Sequence, residues 1–368
     1  MTLTNYWWLL IWIFIGGVLA LFIPKQQKLV NGRKVERWTM PTALILIAPY
    51  IVWAGFRSNA FGDTGSYQKA FRECASSFGE IGNYLSSVTK DKGFYLLMAL
   101  EKSIFGDSCR LFFVLLAAFQ LLIIVWMFRK YSEDYWFSIF LFIASTDYIS
   151  WTFNGIRQFT AVVIAYAATP FILKKKYIPS ILLILLASTM HQSVLLMIPI
   201  IFIIQGKAWN KKTVLCILAC LTALLFVDQF TNVMDSMLAE TQYRNVVSDY
   251  KSWNDDGTNP LRVLVYSIPM ILSLIGLKYV QAENDPMINT AVGASAIVCG
   301  LYVISMVTSG IFLGRLPIYI SLWSQCILLP WEIKHMFTEK SARLVKIIAI
   351  CCYCVFFYFQ MHFTWGIL

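Results

Sequence analysis

An all-α polytopic integral membrane protein is the fold class this sequence predicts, on three observations. Hydrophobic residues make up 58% of the 368 and charged residues 14%, with a mean hydropathy of +0.65, more apolar surface than a single soluble core can bury. Apolar stretches close to the roughly 20 residues that cross a bilayer recur along the chain. Lysine and arginine gather in clusters between those stretches, the pattern that orientation in a membrane imposes.

The apolar stretches run at about 5–23, 40–56, 110–128, 135–151, 156–173, 213–227, 262–280, 287–309, 316–331 and 347–365. With two ambiguous stretches added, about 10 to 12 transmembrane helices are expected in a single transmembrane domain over 1–368. The first run has no positive segment before it and a basic stop after it (Lys25, Lys28, Arg33, Lys34, Arg37), so a cleavable signal peptide is not expected. Further basic clusters follow at Arg129-Lys130, Lys174 to Lys176, Lys207 with Lys211-Lys212, and Lys334 with Lys340, Arg343 and Lys346. By the positive-inside rule all five clusters face the cytoplasm.

That orientation decides the two ambiguous stretches. Phe94 to Phe105 is short and interrupted by Glu101-Lys102, and must lie on the outer surface. Tyr177 to Ile204 must rise and return as a helical hairpin (177–204) with its tip at Thr189 to Ser193. A rising arm of about 14 residues climbs about 21 Å, which places His191 toward the outer face. Both termini, an outer loop with a surface helix (57–109), the turn at Asn154 to Arg157 and a long loop (228–262) are then outside. The long loop carries Tyr243, Arg244, Tyr250, Lys251, Trp253, Asn254, Asp255 and Asp256, a mixture suited to sugars, since aromatic faces stack on rings while amides and carboxylates take hydroxyls.

The formal charge of +10 is mostly accounted for by this orientation, so nucleic-acid binding is not implied. The outer side nevertheless keeps Arg57, Lys69, Arg72, Lys90, Lys92, Lys102, Arg110, Arg157, Arg244, Lys251, Arg262 and Arg315, a basic set that points to an anionic ligand. The nine cysteines show no zinc spacing and most read as small buried hydrophobes. Cys74 and Cys109 are both on the predicted outer side and are candidates for pairing there. P-loop, dinucleotide, zinc-protease and nucleophile-elbow motifs are missing from the sequence.

Arg57, Arg157, His191 and Arg315 fall within or just outside the bilayer, where a cation costs at least about 2.5 to 3.5 kcal/mol. Each has polar company at the outer end of a helix. The blocks are Arg57-Ser58-Asn59 with Gly62-Asp63-Thr64 and Tyr67; Asn154-Gly155-Ile156-Arg157-Gln158; His191-Gln192-Ser193; and Gly314-Arg315 with Tyr319. They are expected to converge on one cavity. Arginine suits a phosphate-bearing ligand because its planar fork donates paired hydrogen bonds and stays ionised when partly desolvated. A neutral imidazole at His191 can accept a proton near pH 7, and Asp63 is the alternative base or the partner that holds Arg57. Tyr67 and Tyr319 can stack on or hydrogen-bond sugars, and Ser193 can orient His191. Gly62-Asp63-Thr64 offers a single carboxylate, whereas divalent-cation sites for diphosphates generally recruit two or more; Asp147, close to the outer end of its helix, could supply a second, but no metal and no cofactor is expected.

In this order and on this scaffold, from about residue 40 to 330, the four blocks resemble the EpsG family of exopolysaccharide and O-antigen repeat-unit polymerases, a branch of the Wzy-type enzymes. The resemblance implies a metal-independent, GT-C-like membrane glycosyltransferase at the outer face of the cytoplasmic (inner) membrane. It would join undecaprenyl-pyrophosphate-linked oligosaccharides, which serve as donor and acceptor, and a chain-length regulator is a candidate partner. On that reading Arg57, Arg157 and Arg315 bind pyrophosphate, His191 and Asp63 are catalytic, and Tyr67, Asn154, Gln158, Ser193, Tyr319 and Arg244 contact substrate. Two other classes use similar residues. A flippase for the same lipid-linked units needs outward arginines but also repeated halves, and no internal repeat is present. A membrane O-acyltransferase uses a histidine base reached from the cytoplasmic side, opposite to the side expected for His191.

Overall fold

In the computed structural model, which describes residues 4–30, 33–238 and 257–368, the chain forms two compact units. The first comprises Met1–Leu196 with Arg343–Leu368, and the second Met197–Ala342.

The first unit opens with α1 (Trp7–Leu19), followed by strands β1 (Gln26–Val30) and β2 (Arg33–Arg37), an antiparallel pair that the membrane pattern did not predict. Then come α2 (Met40–Phe56), α3 (Thr64–Glu73), α4 (Ile81–Ser87), α5 (Lys92–Phe105), α6 (Cys109–Tyr131), α7 (Tyr135–Ala144), α8 (Asp147–Phe153), α9 (Ile156–Ala167), α10 (Thr169–Leu173) and α11 (Tyr177–Ser188). Helix starts follow ordinary capping rules: the side chain of Thr39 accepts from the amide of Thr42, Ser108 from Leu111, and Asp134 from Phe137.

In the second unit the helices are α12 (Met197–Ile203), α13 (Lys211–Leu225), α14 (Val227–Leu238), α15 (Pro260–Ile275), α16 (Leu277–Glu283), α17 (Pro286–Met306), α18 (Ile318–Trp323) and α19 (Leu329–His335). The last helix, α20 (Glu339–Phe359), runs back into the first unit from Arg343.

Among the described residues, four helical segments are long and apolar enough to cross a membrane: Cys109–Tyr131, Ile156–Leu173, Pro286–Met306 and Glu339–Thr364. Two bent pairs raise the number to as many as six: α13 with α14, bent 105°, and α15 with α16, bent 77°. Other apolar runs form helices of 10–17 residues, among them Trp7–Phe22, Met40–Phe56, Tyr135–Ala144 and Tyr177–Ser188. The expected span at 135–151 is interrupted where Thr146 takes φ +65°, and the one at 262–280 turns at Gly276, whose bare backbone favours leaving the helix. Phe94 to Phe105 lies within α5 and is not among the candidate spans.

Packing in the first unit joins apolar faces with buried bonds to backbone carbonyls. Trp12 Nε1 donates to Leu46 O at 2.8 Å, Tyr50 Oη to Leu9 O at 2.7 Å and Trp136 Nε1 to Ile13 O at 3.0 Å, linking α1 to α2 and α7. Gln120, fully buried on α6, donates to Ile156 O at 3.2 Å and to Thr160 Oγ1 at 2.9 Å on α9. Lys346 on α20 pairs with Asp134. An aromatic core of Tyr67, Phe71, Phe94, Phe112 and Phe113, with Ile156 and Met190 against it, joins α3, α5, α6 and α9 to the end of α11. In the second unit α15 packs on α17, with Tyr266 and Tyr302 rings 5.0 Å apart.

Candidate functional site

The candidate site of the first unit is built where α2 ends, α3 and α5 begin, and α9 and α11 present their ends to the same aromatic core. Arg57 follows the last residue of α2 and is 3% exposed. Its Nε donates to Thr64 Oγ1 at 3.0 Å and its Nη1 to Ala54 O at 2.6 Å, while Cζ sits 3.7 Å from the Phe113 ring centroid. Nη2 is buried without a hydrogen-bond partner. Burial lowers the Arg57 guanidinium to about 10, so it remains charged at neutral pH. Thr64, not Asp63, is the side chain that holds Arg57.

Asp63 is exposed, and its amide donates to Asn154 Oδ1 at 2.7 Å. That bond fixes the loop before α3 against the turn before α9. Gly62, at φ +50°, lies so close to the Asn154 amide group that a Cβ would collide with it, so glycine is required there by conformation and by space.

Arg157, in the first turn of α9, donates from Nη1 to Asp91 Oδ2 at 2.8 Å. The Asp91 side chain is 2% exposed and that of Arg157 24%. Cζ of Arg157 lies 6.0 Å from the Tyr67 ring centroid. Tyr67 interacts electrostatically with both Arg157 and Arg57, which places this phenol between the two cations' fields; burial pushes it up.

Asp91 was not singled out from sequence. An aspartate before an apolar run reads as a helix cap, and Asp91 does occupy the N-cap of α5, at φ +54°, but its side chain makes no cap bond. The carboxylate is diverted to Arg157, and the backbone amide of Gln192 acts on it as well. Burial raises the carboxyl above its ordinary range, more than Arg157 lowers it. One residue pair further on, Gly93 N donates to Thr189 O at 2.9 Å. The start of α5 is thus tied to the segment carrying His191.

After α11 ends at Ser188, a turn over Thr189 to His191 leads into a short helical turn at Gln192–Leu196. His191 Nδ1 and Ser193 Oγ are 2.8 Å apart, both half-buried. The structure therefore brings together Arg57, Asn154, Tyr67, Arg157, His191 and Ser193, with Asp91 added. Gln158, on α9, is buried. Arg315 and Tyr319 belong to the second unit, Arg315 exposed in the turn Leu313–Arg315 and Tyr319 fully buried in α18. Arg244, with Tyr243, Tyr250, Lys251, Trp253, Asn254, Asp255 and Asp256, lies outside the described residues. Cys74 and Cys109 are free thiols.

The donor set is arginine, histidine, tyrosine and one paired carboxylate, which favours anions and hydroxyl-bearing ligands. Comparison with known proteins bears on the same region: the EpsG family model matches residues 42–365, which takes in every residue of this cluster. No curated protein and no solved structure gives a match.

Proposed function

Since the chain belongs to the EpsG family, a Wzy-like polysaccharide polymerase family, and is a multi-pass membrane protein, we propose that it joins undecaprenyl-pyrophosphate-linked oligosaccharide units into an O-antigen or exopolysaccharide at the outer face of the cytoplasmic membrane. The observation that carries this reading is the Arg157–Asp91 pair at 2.8 Å, tied to the segment that presents His191 and Ser193.

In the reaction the bond between the donor sugar's anomeric carbon and its pyrophosphate breaks, and the electron pair leaves with the pyrophosphate. Arg157 sits where that charge can be met by a fixed cation, which lowers the energy of the transition state more than that of the ground state. Arg57 is a further anion ligand in the first unit, and Arg315 is assigned the same role in the second. The acceptor hydroxyl loses its proton to His191 as the new glycosidic bond forms. Asp63 is the second carboxylate proposed to assist proton transfer. Tyr67, Asn154, Gln158, Tyr319 and Arg244 are assigned to the sugar chain. The chemistry of the cluster suits a GT-C-type transfer without a metal, because its one buried carboxylate is already committed to Arg157.

Purified full-length protein in nanodiscs, given lipid-linked single repeat units from its own host, should produce a ladder of longer chains on a gel. Product limited to single units with folded native protein would overturn the proposal.

A further inference from the structure

A second cationic feature of the first unit shares Arg57 with the cluster described above but includes neither Arg157 nor Asp91 in its lining. It is a cavity of about 420 Å³ lined by Arg57, Arg72 and Arg110 together with Asn59, Gln68 and Asp107. Its volume is that of about fourteen waters at roughly 30 Å³ each.

Three observations point to a ligand rather than to a solvated surface. Arg57 is nearly inaccessible, is preset by Thr64, Ala54 and Phe113, and still has Nη2 without a partner. Arg72, in the last turn of α3, and Arg110, in the first turn of α6, are exposed at the same cavity; Arg110 Cζ lies 5.5 Å from the Phe56 ring. Asp107 is the carboxylate among the lining residues, and Lys102 Nζ lies 3.5 Å from it, so it does not neutralise the three guanidinium groups. Lys102 also donates to Phe71 O, Arg72 O and Cys74 O at 3.0, 2.7 and 3.3 Å, which fixes the turn that carries Arg72. The neutral wall is fixed too, by Gln68 Nε2 donating to Asn59 Oδ1 at 2.7 Å.

We propose that this cavity binds a phosphate or diphosphate group at a position separate from the one assigned to Arg157. The two exposed planar forks of Arg72 and Arg110, backed by the buried Arg57 charge, match the several oxygens of such a group and keep their charge when it is partly desolvated. The inference deepens the proposed function, and rests on it only for the molecule that carries the phosphate: a second lipid-linked unit in place of free diphosphate.

The test is calorimetric titration of the purified full chain in uncharged detergent with inorganic pyrophosphate. The Arg157→Gln chain should still bind it, and adding Arg72→Gln and Arg110→Gln should weaken that binding by about tenfold or more, the loss expected for charge-assisted hydrogen bonds. In the otherwise native chain the same two substitutions, both at exposed positions, should remove one of two bound pyrophosphates, a readout that does not depend on how the Arg157→Gln chain folds. Unchanged binding in both backgrounds would overturn the proposal. Repeating the titration in phosphatidylcholine nanodiscs with added polyprenyl diphosphate separates the two sources: competition assigns the site to a lipid headgroup, and its lack assigns it to free diphosphate. Neither readout depends on polymer formation, so a failure of the polymerase reading would be seen separately in the gel assay.

Discussion

Replacing Asp91 separates the positioning of Arg157 from the stability of the fold. Asp91→Ala removes the acceptor of the 2.8 Å bond and leaves a guanidinium over Tyr67 with no carboxylate beside it. Breaking a fully buried pair costs about 3 to 5 kcal/mol. Here the Arg157 side chain is 24% exposed, so water takes over part of its solvation and about 2 to 3 kcal/mol is expected, near the value for a hydrogen bond to a charged group. Asp91→Asn behaves differently. Burial raises the Asp91 carboxyl more than Arg157 lowers it. A carboxyl with a raised folded pKa contributes stability that is complete below about pH 3.9 and is lost as pH rises through the folded value. At neutral pH the ionised group is therefore a net cost relative to a neutral one of the same shape. Asparagine removes that cost while still accepting one bond, so thermal unfolding in detergent at pH 7 should stay within about 1 kcal/mol of native. The remaining bond keeps the charged donor but loses the carboxylate's charge, so it is weaker than the ion pair. Arg157 should be held less firmly, and polymerisation in nanodiscs should slow about tenfold, equivalent to about 1.4 kcal/mol. Full activity in Asp91→Asn, or an unfolding loss equal to that of Asp91→Ala, would refute the reasoning.

Two further outcomes follow from neighbouring residues. Gly62→Ala forces a side chain into a left-handed position against Asn154, and should lose about 1 to 2 kcal/mol from conformation alone, with lower polymer yield; measured against Asn154→Ala, the two losses should not add, because both break the same loop contact. Glu101 lines an apolar cavity of about 670 Å³ with Leu97, Ile104 and Phe119, and burial raises its carboxyl to about 7. Its contribution is complete only well below about pH 4.3 and is lost as pH rises through 7, so Glu101→Gln should melt clearly higher than native at pH 8 and close to native at about pH 3.5; equal melting at both would contradict the assignment.

Long apolar runs were legible because their length and hydrophobicity are set by the bilayer. Met40–Phe56 matches the stretch read from sequence, and α6, α9 and α17 start within a residue of theirs. What was not legible depended on single backbone positions inside such runs. Thr146 at φ +65° and the turn at Gly276 divide stretches whose hydropathy is continuous. The strand pair at Gln26–Val30 and Arg33–Arg37 was hidden by its charge, although Asn31-Gly32 between the strands is the dipeptide that favours tight hairpins. Arg57, Arg157 and His191 stood out because charge is rare near hydrocarbon. Asp91 did not, because its exposed-looking context of lysines and glycine matches a helix cap, and only the packed structure shows its carboxylate turned to Arg157.

The central claim is that the cluster around Arg157 and His191 forms polymer. Gel analysis of surface polysaccharide tests it most directly, in cells lacking this gene and complemented with the native chain, Arg157→Ala or His191→Ala, with membrane levels of each chain matched. The native chain should restore the ladder, and both variants should leave single lipid-linked or core-linked repeat units at the outer face. A full ladder from either variant would contradict the account.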